Sequence, residues 1–142
     1  MRHPRIRTAR SSGCPRGLLS FALMLGLAAC APEVVRQPAQ LTPTTGASGA
    51  TIEVAEEASV AVGTGYSRVI RRGSVWSRVG RLVQGEVWKP VGGVFTVEGA
   101  HIHEAYLVLD GDRVVGFYLP VEHAFSPAPG TPTRLSVRRR DP

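Results

Sequence analysis

Ala105 to Leu119 reads AYLVLDGDRVVGFYL, and this stretch decides the fold. Two runs rich in Val, Leu and aromatic residues flank Asp110-Gly111-Asp112. Asp-Gly is a favoured turn pair because glycine accepts positive φ at little cost. The stretch therefore predicts a β-hairpin, closed after Leu119 by Pro120, which has no amide proton to donate to a ladder. Working outward, the neighbouring segments repeat the pattern. Val75 to Val83 alternates, with Gly80 a bulge or bend. Glu86 to Lys89 continues it until Pro90, and Val94 to Val97 is a short strand before Glu98-Gly99. Ser67 to Ile70 is extended before a turn at Arg72-Gly73. Short apolar runs broken every few residues by Gly or Pro predict an all-β domain. Five to seven short antiparallel strands are expected, arranged as a small barrel or a two-layer sandwich. The alternative is an α+β domain, because residues 54–62 (VAEEASVAV) also suit a short helix.

Composition sets the boundaries of that domain. Residues 30–50 are rich in Pro, Thr, Ala, Gly and Ser, with few large apolar groups beyond Val34, Val35 and Leu41. Such a segment reads as a flexible linker. The β domain is expected over 51–125, a size that supports one modest core. Residues 126–142 read as a Pro-rich, basic tail, with one last strand over 134–138 as an optional addition.

The first thirty residues carry a different signal. Arg2, Arg5, Arg7, Arg10 and Arg16 precede an apolar run from Leu18 to Leu27, which ends in Leu27-Ala28-Ala29-Cys30. A charged start, a short apolar run and small residues before a cut mark a secretory signal. The run is about half of the ~20 residues a spanning helix needs. With cysteine directly after the small pair, the segment resembles the signal peptide and lipobox of bacterial lipoproteins. That resemblance implies removal of residues 1–29, acylation of Cys30 and permanent attachment to a lipid bilayer, since two or more acyl chains hold where one does not. With Ala31 rather than Asp after the cysteine, it also implies the outer membrane of a Gram-negative envelope, facing the periplasm.

Excluding the signal changes the meaning of the charge. The whole chain has a formal charge of +6, yet five of its seventeen basic residues and none of its eleven acids lie before Cys30. The remainder is nearly neutral, which removes the bulk electrostatic case for nucleic acid. Cys14 is lost with the signal and Cys30 takes the lipid, so no disulfide is expected.

Two sets of residues are candidates for function. Trp76, Arg78 and Arg81 place an aromatic beside arginines, and Phe117 and Tyr118 are consecutive and point to opposite faces of a strand. One of that aromatic pair is expected outside the main core, giving an interaction surface for a protein partner. Alternatively, His101 and His103, two apart on a strand, converge with His123 on zinc, as a metal-binding or hydrolytic site. No catalytic motif supports a nucleophile. The expected function is an accessory or structural role in a cell-envelope assembly, with a secretion or conjugation subunit as a further alternative.

Overall fold

A computed structural model describes residues 32–45 and 49–140. The fold is all-β and sandwich-like, with no closed barrel. The stretch that also suited a short helix, residues 54–62, is not helical: it takes in the end of one strand, Thr51–Val54, and a second, Ala58–Ala61.

Fourteen strands occur among the described residues, at least twice the five to seven expected. They are β1 (Gln37–Pro38), β2 (Thr42–Pro43), β3 (Thr51–Val54), β4 (Ala58–Ala61), β5 (Ser67–Ile70), β6 (Val75–Leu82) and β7 (Gly85–Pro90). The second half adds β8 (Thr96–Glu98), β9 (Ile102–Glu104), β10 (Tyr106–Asp110), β11 (Arg113–Leu119), β12 (Ala124–Pro127), β13 (Thr133–Arg134) and β14 (Val137–Arg140). Ten form one antiparallel sheet in the order β1-β12-β11-β10-β7-β6-β3-β14, with β13 on β11 and β2 on β6. The others form two small antiparallel pairs, β4–β5 and β8–β9. The excess over expectation comes from very short pairings, such as β1, β2 and β13, which lack any periodic signal.

The hairpin at the centre is as expected: β10 pairs with β11, and Gly111 takes a φ of 62° in the turn. Two bulges sit in the central strands. The register skips Val79 between Arg78 and Gly80 on β6, and Val115 opposite Val108 and Leu109 on β11. Neither bulged carbonyl is left idle. Val79 accepts from the Thr44 amide at 3.2 Å and Val115 from the Ala128 amide at 3.0 Å.

Each face of the sheet buries its own apolar cluster. The larger contains Ile52, Trp76, Trp88, Leu107, Phe117 and Leu135, together with Val60 and Val97 from the small pairs, which supply the second layer. The smaller, on the other side, contains Leu82, Val87, Val108, Tyr118 and Phe125. Period-two alternation explains the division along β10, where Leu107 and Leu109 face one cluster and Val108 the other.

The smaller cluster is covered by the segment read as a linker. Residues 32–45 form a strap whose β1 adds to β12 and whose β2 adds to β6. Val34 is buried in the large cluster, while Ala39 and Leu41 pack on the small one. The linker expectation is thus corrected for these residues: backbone pairing and apolar contact offset an ordering cost that composition alone suggests is too high. The strap also reports the sheet's curvature. From Pro38 to Thr42 the chain reaches about 14 Å, whereas β1 and β2 on a flat sheet would be about 29 Å apart at ~4.8 Å per strand. The sheet is therefore strongly curled. The other composition-based boundary shifts as well. Ser126 is fully buried on β12, Leu135 lies in the core, and the basic run 138–140 is an edge strand on β3.

Candidate functional site

The residues expected to form an interaction surface do not share one. Trp76 and Phe117 lie in the large core, where Phe95 meets Trp76 edge-on at 5.4 Å and stacks on Phe117 at 6.0 Å. Tyr118 does face away from that core, as strand alternation predicts, but the strap roofs it over. Arg78 points toward Glu86, its Nη1 2.9 Å from the carboxylate. Arg81 is exposed beside β2. The correction follows from coverage: aromatic pairs in a strand report two faces, and this sheet covers both.

The histidines are also separated in role. His101 is exposed, with its ring centroid 6.5 Å from that of His103. His103 is mostly buried, and its Nδ1 pairs with Oε1 of Glu122. His123 sits in the β11–β12 turn with a φ of 49°, unusual for a residue with a Cβ, and brings its Nδ1 within 3.5 Å of the Tyr118 hydroxyl. Among the described residues no three His, Cys, Asp or Glu side chains gather at metal-holding distance. The three-histidine zinc site expected from spacing is therefore not assembled. His101 and His103 do share a strand neighbourhood, but the topology sends His103 to a carboxylate nineteen residues away.

Two concave regions take the place of these expectations. One, of about 640 Å³, lies between the strap and the sheet, lined by Pro38, Gln40, Leu41, Tyr118 and His123. Burial, and secondarily the neighbouring Tyr106, pushes the Tyr118 phenol above its ordinary pKa. The other is a groove of about 480 Å³ between β5 and the β7–β8 loop. Its floor is Trp76 and Phe95, and its walls carry Val69, Val91 and Val94, all exposed. Arg68 and Arg71 rim it. Arg68 is held by Glu98 at 3.1 Å and lies over the Phe95 ring at 5.5 Å. Arg71 makes no ion pair among the described residues.

This second groove escaped the sequence reading. Val91-Gly92-Gly93-Val94 looks like an ordinary glycine loop, and only the fold leaves its valines in solvent beside Val69. Trp76, expected on an interaction surface, does line this groove, but as its buried floor rather than as an exposed side chain. Cys30 and the lipobox residues Leu27, Ala28 and Ala29 lie outside the described residues. Comparison with family models, curated proteins and solved structures finds no match for this chain.

Proposed function

We propose that the chain is a membrane-anchored envelope lipoprotein whose β domain binds a protein partner and serves an accessory or structural role in an envelope assembly. The observation that carries the binding half is the groove bordered by Val69, Val91 and Val94. Exposed apolar side chains around a concave aromatic floor mark recognition surfaces more often than plain solvent faces. Its free arginine favours a partner that offers an apolar side chain flanked by a carboxylate. The anchoring half is supported by Leu27-Ala28-Ala29-Cys30 behind its apolar run. On this reading Cys30 carries the lipid, and the protein faces the periplasm from the outer membrane.

The test is affinity purification with crosslinking of the C-terminally tagged, lipidated protein from intact membranes. Cys30→Ala and Val94→Asp are the companion variants. A stoichiometric partner is expected, lost with Cys30→Ala and weakened at least about tenfold, or 1.4 kcal/mol, by Val94→Asp. Val94 is exposed, so its replacement leaves the fold intact. Absence of any partner above the Cys30→Ala background overturns the assembly reading. Recovery of channel components would specify a secretion or conjugation machine.

A further inference from the structure

The described chain begins at Pro32, and Pro32 is already docked. Its carbonyl accepts the Ala100 amide at 3.1 Å, and Val34, two residues on, is buried beside Gly99, which Thr64 also approaches. Cys30 is two residues earlier, so its Cα lies within about 7 Å of that of Pro32 whatever the intervening conformation. An acylated cysteine sits at the boundary between headgroups and acyl chains. The headgroup layer is itself only about 5–8 Å deep on each side. With Cys30 acylated, at most that two-residue span separates the lipid from the folded domain, and whatever surrounds Pro32 must meet the membrane surface.

Three segments converge there: the strap, the turn after β4 at 62–66, and the β8–β9 hairpin. Each exposes a large apolar side chain. Val35 is 53% accessible, Tyr66 52% and Ile102 72%. Of the formal charges beside them, Arg36 pairs with Glu33 at 3.4 Å and Arg68 with Glu98 at 3.1 Å, while Glu104, two residues from Ile102 on β9, makes no ion pair among the described residues. Aliphatic groups with a tyrosine, on a surface of little net charge, suit the headgroup–acyl boundary rather than bulk water. We propose that Val35, Tyr66 and Ile102 form a membrane-docking face that holds the domain directly on the bilayer in one orientation. The placement rests on acylation of Cys30, the reading proposed above. The occupant is the lipid surface itself, engaged by apolar insertion rather than by charge.

The experiment uses the full acylated protein reconstituted into phosphatidylethanolamine/phosphatidylglycerol vesicles. Single cysteines replace Val35, Ile102 or Val83, each carrying an environment-sensitive fluorophore. On this reading the mature chain has no other free thiol. Val83 is fully exposed in the β6–β7 turn, beside strap residues 38–42 rather than Pro32, and serves as the reference. Labels at Val35→Cys and Ile102→Cys are expected to shift to the blue and to be quenched several-fold more than Val83→Cys by nitroxide lipids. The difference should persist in 1 M NaCl. Equal quenching at all three positions on acylated protein overturns the docking face and leaves the anchor standing. Intact mass read on the same samples separates the two readings: protein without acyl chains overturns the anchor, and this placement with it.

Discussion

Tyr118 shows at the scale of one residue how the fold decides a side chain's environment. It follows Phe117 on β11 and faces the opposite side of the sheet, where strap residues Leu41 and Ala39 and the apolar groups Val108 and Phe125 surround it. Burial disfavours the phenolate, so the folded-state pKa lies above the unfolded value near 10. The sign follows directly. The stabilising protonated form is fully present below about pH 10, and its contribution is lost as pH rises through the higher folded pKa. Thermal unfolding followed from pH 8 to 11 should therefore fall more steeply for the wild type than for Tyr118→Phe. Parallel curves would show that the phenol ionises without cost in the folded state. The Phe variant keeps the ring, and the hydroxyl it loses stands 3.5 Å from His123 Nδ1, too long for a strong hydrogen bond, so little change is expected at neutral pH.

Among the elements, the strap is the one whose composition and behaviour diverge most. Pro38 and Pro43 keep β1 and β2 to two residues each, yet β1 lies on β12 and β2 on β6, at distant positions in the sheet order. Its close approach to β6 depends on Gly80. A Cβ there would stand 2.5 Å from the Thr42 carbonyl oxygen and 2.8 Å from a Leu41 methyl. Gly80→Ala is expected to displace the strap locally. Hydrogen exchange at residues 37–43 should accelerate about tenfold or more, corresponding to a loss of about 1.4 kcal/mol of local stability, as overpacking typically costs 1–3 kcal/mol. Unchanged protection at 37–43 would show that the strap is held by other contacts. The opposite edge of the sheet is managed by charge. On β14, Arg138 and Arg140 pair with Glu53, and Arg139 reaches Glu86 and lies over the Trp88 ring. Charged side chains on an edge strand discourage pairing with a second chain.

At the scale of the whole molecule, the sheet is a layer with two buried faces: the smaller is covered by the N-terminal strap, while the C-terminal residues Leu135 and Val137 pack into the larger. Starting the chain at residue 46 removes Val34 from the large core and uncovers Tyr118 and Phe125. Burying one aliphatic side chain is worth about 2 kcal/mol, so the truncated protein should lose at least that much in urea denaturation and should bind an apolar dye in its folded state. A true linker would be removed without effect on either measurement. If the truncated chain matches the full one, the strap is a passenger on the sheet rather than part of its stability.

Sequence alone determined the strand character of this protein. Alternation over Val75–Leu82, the Asp110-Gly111-Asp112 turn and the closing prolines are local signals, set by side-chain period and backbone sterics, and β6, β10 and β11 fall where they predict. The rival helix at 54–62 is a local ambiguity, resolved by β3 pairing with the distant strands β6 and β14 and by β4 pairing with its neighbour β5. Tertiary structure alone decided which faces are covered. That His103 meets Glu122, that Trp76 floors a groove, and that a Pro- and Thr-rich stretch becomes a strap all depend on segments far apart in the chain. Period and composition describe what a residue prefers next to its neighbours. Burial is set by what the rest of the chain brings to the other side.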